Sequence, residues 1–270
     1  MTFLFWNLYK KDLRQNLRRL AVRHEVDVFV FAECDSVAAV LQGLNPENQV
    51  ADYSYAEGNT AHRIQIFTRF PEAFFRTVRE ESRYTVRKIS LPGKPEILLA
   101  AAHLLSLTHV GKFDQTFGAQ QFAQMIRDGE AEAGHNRTIV VGDLNMNPFD
   151  DGVVAANALH GVMTKQLVNR GQRKVQGQTT PMFYNPMWNR FGDHPTRPPG
   201  TYYYDKTGLA CHFWNVYDQV LIRPSLLPYW NDDDLHILTD DGEVSFVTHA
   251  GKPDAKNVSD HLPLLFQLDY

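Results

Sequence analysis

The sequence predicts an α/β (α+β) protein in which two stacked sheets are flanked by helices, and three observations lead there. Strand-length apolar runs such as "VDVFVFA" (26–32) and "ILLAAAHLL" (97–105) recur along the chain, and near-continuous runs of this kind belong to strands covered on both faces. Early in the chain, segments with helical periodicity alternate with such runs. Beyond that, strands dominate, which suits layered sheets with helices outside.

Taken in order, residues 2–7 read as a strand, and 12–25 as a helix with Leu13, Leu17, Leu20, Ala21 and His24 on one face. A near-continuous apolar strand follows at 26–33, then a short helix at 36–44. Strands are expected at 63–69, 73–79, 84–91 and 96–104, a longer helix at 113–132, and a strand at 137–142. The stretch 168–214 is rich in Gly, Pro and aromatics and reads as a loop-rich insertion. Strands return at 216–222, near 245–248, and at 262–268.

Composition narrows the class. The 270 residues are 43% hydrophobic and 21% charged, as in ordinary globular proteins. No linker, low-complexity tract or repeat divides them, so one domain over 1–270 is expected. No apolar run approaches the ~20 residues that span a bilayer, and "MTFLFWNLYKK" does not read as a signal peptide. With Cys34 and Cys211 as the two cysteines, neither a disulfide framework nor a zinc cluster is expected. Both read as small, reduced core residues of a cytoplasmic protein. A net charge of −4 neither announces nor excludes a nucleic-acid partner, because local fields decide.

One feature recurs: polar residues abut apolar strands. Asn7 ends "FLFWN", Glu33 ends "VFVFAE", His103 ends "LLAAAH", and Asp143 and Asn145 follow "IVVG". Asp218 lies in "WNVYDQVLI", and Asp260-His261 precede "LPLLF". Each alone suits a cap or turn. Asp143 and Asn145, two positions apart on an extended chain, are expected to face one spot. If Glu33, Asp143, Asp218 and Asp260 converge, two carboxylates ~4 Å apart repel by about 4 kcal/mol at an effective dielectric of 20. Such a cluster needs protons or a cation, and hard oxygen donors select Mg²⁺, Mn²⁺ or Ca²⁺. The Asn residues can orient a metal, a water or a phosphate oxygen without adding negative charge. His103 and His261 supply proton donors for developing phosphorane charge, and Asp218 is suited to fix a His tautomer. The chemistry expected is metal-assisted phosphoester hydrolysis.

The ordered set Asn7, Glu33, His103, "GDLN" with Pro148 downstream, "YDQVLI" and "SDHLPL" resembles the endonuclease/exonuclease/phosphatase superfamily, with its deoxyribonuclease-I-like fold. The resemblance runs from residue 7 to residue 261. It implies a four-layered α/β sandwich of mainly antiparallel sheets, with the site at one edge and the 168–214 insertion near it. It also implies that Asn7, Glu33 and Asp260 hold Mg²⁺ or Mn²⁺, and that Asp143 orients or deprotonates the attacking water. Asn145 would bind the phosphate or align that water, Asp218 would pair with His261, and His261 and His103 would contact the scissile phosphate. Where abasic-site endonucleases carry "LQETK", this chain has "FAECDS". Where inositol-polyphosphate 5-phosphatases carry "GDLNYR" and "WCDR", it has Met146-Asn147 and Tyr217-Asp218-Gln219. "AAHLLS" is closer to the deoxyribonuclease and sphingomyelinase branches, although His62 stands where the former carry an acidic residue. A nuclease on DNA or RNA is the leading expectation. The rival is a phosphatase or phosphodiesterase for a small or lipid-derived phosphate.

Weaker features complete the reading. "KKDLRQNLRR" reads as a solvated helix face, with phosphate contact as its sharper alternative. Arg63, Tyr184, Trp188 and Tyr202 are candidates for substrate contact, the aromatics as base-stacking groups; a rigid cap is the alternative for 178–204. "NDDDL" reads as an exposed turn. "SDH" is no serine triad, for no G-x-S-x-G elbow accompanies it, and no phosphate-cradling loop is present.

Overall fold

The structure is a computed structural model that describes residues 1–45, 52–58, 63–205 and 211–270; His62 lies outside the described residues. The chain opens with β1 (Thr2–Asn7), α1 (Arg14–His24) and β2 (Val28–Ala32), a crossover that sets β1 and β2 parallel. Helix α1 stops at Glu25, whose left-handed backbone returns its N–H to the Ala21 carbonyl. Helix α2 (Val37–Leu44) starts at Ser36, whose hydroxyl accepts the Ala39 N–H at 3.2 Å. Then come β3 (Ser54–Tyr55), β4 (Ile64–Thr68), β5 (Phe75–Glu80), β6 (Tyr84–Ile89) and β7 (Ile97–His103). Helix α3 (Lys112–Ala133) crosses over to β8 (Thr138–Asp143), parallel to β7. Asp114 caps its start by accepting the Gly111 N–H.

Short elements follow: α4 (Asp151–Val154), β9 (Gly161–Val162), α5 (Lys165–Val168), β10 (Gln172–Val175), β11 (Gln178–Pro181), β12 (Phe183–Tyr184), β13 (Tyr202–Tyr203) and β14 (Trp214–Asn215). The chain closes with β15 (Asp218–Ile222), β16 (His236–Ile237) and β17 (Leu264–Gln267). Among the described residues, one sheet runs β16-β17-β1-β2-β4-β3 and the other β5-β6-β7-β8-β15-β12-β9. Each is mixed, with antiparallel pairs in the majority. The period-2 rule sorts the second sheet. Leu99, Ala101, Ile139 and Val141 face the first sheet, while Leu98, Ala100, Ala102 and Val140 face Phe122, Ala123 and Ile126 of α3. The layers are therefore helix, sheet, sheet, helix, the four-layered α/β sandwich that the sequence predicts.

Two expectations need correction. Residues 168–214 are not simply irregular. Gln176 and Gly177, both at positive φ, close a two-residue hairpin between β10 and β11, and β12 joins the second sheet beside β15. Near 245–248 only isolated bridges form, because the Asp241 carboxylate accepts the Glu243 and Val244 N–H groups and turns the chain there.

Candidate active site

The site begins in strand register. Asp143 ends β8, with His103 of β7 directly beside it on one side and Asp218 of β15 on the other. Gly142 permits that closeness. A Cβ there would stand 2.0 Å from the Ala102 carbonyl oxygen, so any side chain would push β8 off β7. In the facing sheet, Asn7 ends β1 opposite Ala32, which puts Glu33 just past the end of β2. The Asn7 amide donates to Asp143 Oδ2 at 3.0 Å and so ties the two sheets at this end. His261 arrives on the turn before β17. The Ser259 hydroxyl donates to the Asn7 carbonyl at 2.7 Å and accepts the His261 N–H at 3.1 Å. The Trp6 indole donates to the His261 carbonyl at 2.9 Å.

His261 Nδ1 lies 2.8 Å from Asp218 Oδ2, and its Nε2 lies 3.8 Å from Asp143 Oδ2. Asp218 is wholly buried, and its own N–H donates to the Thr201 hydroxyl. Burial opposes a charged imidazole here, but Asp218, Asp143 and Asp260 outweigh it and raise His261 to about 10. His103 goes the other way. Its Nε2 is 3.7 Å from Asp143 and 3.8 Å from Glu33, yet burial dominates and lowers its pKa. Two imidazoles are thus arranged around the Asp143 carboxylate with pKa values moved in opposite directions, His261 up and His103 down.

Asn145 reaches the same spot by a route the extended-chain argument does not describe. It has a left-handed backbone, φ 52°, so it is not a strand residue. Its N–H donates to Asp143 Oδ1 at 2.9 Å and its side-chain amide to the Leu104 carbonyl at 3.1 Å. A local side-chain-to-backbone turn, rather than strand alternation, joins the two residues.

Asn7, Glu33, Arg63, His103, Asp143, Asn145, Tyr202, Asp260 and His261 all line one cavity of about 820 Å³, and Asp218 stands behind it. Glu33 holds a left-handed backbone, φ 49°, a conformation that non-glycine residues keep only where the surroundings enforce it. Asp260 Oδ1 is buried with no hydrogen-bond partner, and burial together with the Glu33 charge raises its pKa, although His261 pulls it down. An orphaned carboxylate oxygen beside a second carboxylate and an amide oxygen is a donor set that fits a hard divalent cation. Asp143, Asp218 and His261 also present ligand atoms within 4.8 Å of one another, so a metal ion is compatible with this part of the cavity too.

Two candidates lie elsewhere. Tyr184 is buried within β12 and donates its hydroxyl to Asp232 at 3.0 Å. Trp188 is half-buried against Phe149, ring centroids 6.2 Å apart. Both belong to the segment that closes the end of the second sheet, so neither ring is free to stack a base. Tyr202 does line the cavity, with its ring 4.6 Å from the His261 ring. Asp232 in "NDDDL" is no bare turn residue either, since Trp230, Tyr184 and Lys165 all bond to it. Three cations of "KKDLRQNLRR" are engaged away from the cavity: Arg14 by Asp12, Arg19 by Asp241, and Lys11 by the Lys256 carbonyl. Cys34 and Cys211 are free and half-buried rather than core residues, and Cys211 lines the cavity. Burial pushes the Cys34 thiol up to about 11.

Sequence reading missed other cavity residues: Arg83, Lys112, Asn147 and Tyr217. Asn147 had a faint signal as the third polar residue of "DLNMN". Its amide group bonds Asn215 and the Val216 N–H and thereby fixes the loop carrying Asn145. Arg83 had none, because its proximity to the site comes from pairing β6 with β7.

A two-sheet sandwich with carboxylates and histidines gathered at one end is the class that fold and site define together. The family model for the endonuclease/exonuclease/phosphatase family matches residues 4–261, and the chain belongs to that family. Its members are divalent-metal-dependent phosphoester hydrolases. Solved structures agree on the fold. An endonuclease/exonuclease/phosphatase family protein from Leptotrichia buccalis is 13% identical with a TM-score of 0.59, all of both chains being covered. D. rerio TDP2, complexed with a single-stranded DNA product, is 17% identical with a TM-score of 0.57, over 98% of this chain and 97% of that one. The 3′ phosphatase NExo from Neisseria, bound to a product DNA hairpin, is 14% identical with a TM-score of 0.55, over all of both chains. No curated protein sequence matches the chain. Among the described residues, no helix is long and apolar enough to cross a membrane.

Proposed function

We propose that this protein is a Mg²⁺- or Mn²⁺-dependent phosphodiester hydrolase, and specifically a nuclease acting on DNA or RNA. One observation carries the reading: His261, held by its Nδ1 on buried Asp218, turns its Nε2 toward Asp143 in the cavity that also holds Glu33 and the orphaned oxygen of Asp260. Asn7, Glu33 and Asp260 are the residues assigned to the metal, which when bound would neutralise charge on a phosphate oxygen. Asp143, Asp218 and His261 are not assigned to it, because His261 Nδ1 is already committed to Asp218.

Asp143 accepts the proton of the attacking water, with its two oxygens oriented by Asn7 and the Asn145 N–H. His261 Nε2–H donates to a non-bridging phosphate oxygen, and Asp218, accepting from Nδ1–H, stabilises the doubly protonated ring that carries this outer proton. His103, neutral, donates one hydrogen bond to the same phosphate without adding charge. Asn145 aligns the phosphate or the water. The nucleic-acid part of the reading is supported by cations and tyrosines on the cavity wall, namely Arg63, Arg83, Lys112, Tyr202 and Tyr204. Two free cysteines suit a reducing compartment, in keeping with a cytoplasmic protein.

The test is a substrate panel with Mg²⁺ or Mn²⁺: plasmid, single-stranded DNA, RNA, inositol phosphates and bis-p-nitrophenyl phosphate. Cleavage of the polynucleotides is expected. Hydrolysis of small phosphates alone would replace nuclease by small-phosphate phosphodiesterase, and no hydrolysis by pure, folded protein would sink the enzyme reading.

A further inference from the structure

Arg63 and Arg83 come from different sheets and meet at the same wall of the cavity. Arg63 immediately precedes β4, whose first residue, Ile64, pairs with Ala32; Arg63 therefore stands one register step from Glu33. Arg83 immediately precedes β6, and its carbonyl accepts the His103 N–H at 2.8 Å. The two segments touch, since the Arg63 N–H donates to the Ser82 carbonyl at 3.3 Å. Both side chains line the cavity.

Among the described residues, neither guanidinium has a carboxylate partner. The contrast with their neighbours is sharp: Arg79 is matched to Glu132 at 3.0 Å, and Arg87 to Glu80 at 2.7 Å. Glu33, nearest in register, lies 3.8 Å from His103 Nε2 instead. Arg83 is half-buried, and burial together with the Arg63 charge lowers its pKa. Two unmatched guanidiniums side by side cost free energy by like-charge repulsion. Their forked N–H donors fit the oxygens of a phosphate, which also relieves that repulsion.

We propose that Arg63 and Arg83 form a second phosphate subsite, beside His103, that takes a phosphate flanking the one to be cleaved. This rests on the hydrolase reading above and narrows its substrate to molecules with at least two phosphates. The second phosphate is either a terminal group or the next internal phosphate of a strand.

The probes are thymidine 5′-monophosphate, thymidine 3′,5′-bisphosphate and the dinucleotide pTpT, titrated calorimetrically with Mg²⁺ present. The bisphosphate should bind roughly 10- to 100-fold tighter than the monophosphate, as expected for a charge-assisted contact. In R63Q/R83Q that ratio should fall to about one, and R63K/R83K, which keeps charge without the fork, should restore part of it. A gain for the bisphosphate but not pTpT identifies a terminal phosphate; a gain for both identifies a strand phosphate. Equal binding of mono- and bisphosphate by the parent overturns the subsite, as does a gain that survives in R63Q/R83Q. If those results accompany hydrolysis of the substrate panel, the subsite alone fails. If no probe binds and nothing in the panel is hydrolysed, the hydrolase reading fails with it.

Discussion

Strands β8 and β15 run side by side from one end of the second sheet to the other, and their two ends treat charge in opposite ways. At one end Arg223 is fully buried, its guanidinium bonded to Glu130 at 2.8 and 3.0 Å, to the Met182 carbonyl, and laid 3.6 Å over the Phe183 ring. Thr138 donates to the same Glu130 carboxylate at 2.7 Å. Arg223, Glu130 and Thr138 are all bonded to one another or to backbone, and none of the three lines the 820 Å³ cavity. At the other end Asp143 shares a cavity with Glu33, Asp260 and two histidines, Asp218 backs it through His261, and among the described residues one Asp260 oxygen has no hydrogen-bond partner. The same two strands supply a closed ion pair that serves the fold and carboxylates that open on a cavity. A matched buried charge reads as structure, and an unmatched one facing a cavity reads as function.

Substitutions at the two ends should therefore separate activity from stability. The largest effect is expected from Asp143→Asn, which should lower kcat roughly 10²- to 10⁴-fold, the usual contribution of a general base. Its melting temperature should hold or rise. A kcat within threefold of the parent would refute the assignment. Arg223→Met should do the reverse: about 3–5 kcal/mol lost in denaturant titration, because Glu130 is left buried and unpaired. kcat per folded molecule should be unchanged, and a large loss of kcat there would blur the contrast between the ends.

Metal should act at the open end alone. At about 100 times its dissociation constant, Mg²⁺ should add ~2.7 kcal/mol to unfolding stability by linkage. Asp260→Asn should abolish that gain in thermal melts, and without metal it should melt above the parent. The reason is the sign of its shift. A carboxyl whose folded pKa is raised is less willing to ionise in the fold, so at neutral pH its charge opposes folding. A parent whose melting ignores Mg²⁺ would count against the metal set.

The smallest effect contrasts Asp260 with Asp241. Burial would raise Asp241, but bonds from Arg19, the Val244 and Glu243 amides and Asn16 outweigh it and hold its pKa below the usual value. Its contribution is present above the unfolded carboxyl pKa, near 3.9, and is lost as pH falls through the lower folded value. Asp241→Asn should accordingly cost stability at neutral pH and little in strong acid, measured by urea midpoints across that range. An equal cost at both pH values would show that its charge is irrelevant.

Much of this protein is settled by its sequence alone, because the signals are local. Burial on both faces makes "VFVFA" and "ILLAAAH" strands whatever packs on them, and a charged group at the end of such a strand lies at its mouth. That is why Asn7, Glu33, His103, Asp143 and Asp218 could be picked out one by one, and why their order pointed to the family. The tertiary structure decided what depends on non-local register and closure. Asn145 lines the cavity beside Asp143 with a left-handed backbone, not through strand alternation. Tyr184 and Trp188 come from the same aromatic-rich stretch as Tyr202, yet β12 pairs Tyr184 into the end of a sheet and Trp188 packs on Phe149, while Tyr202 lines the cavity. Arg63 and Arg83, 20 residues apart in the chain, become neighbours only when one sheet is laid on the other. Strand identity follows from a residue's own neighbours in sequence; which side chains share a pocket follows from how two sheets pack.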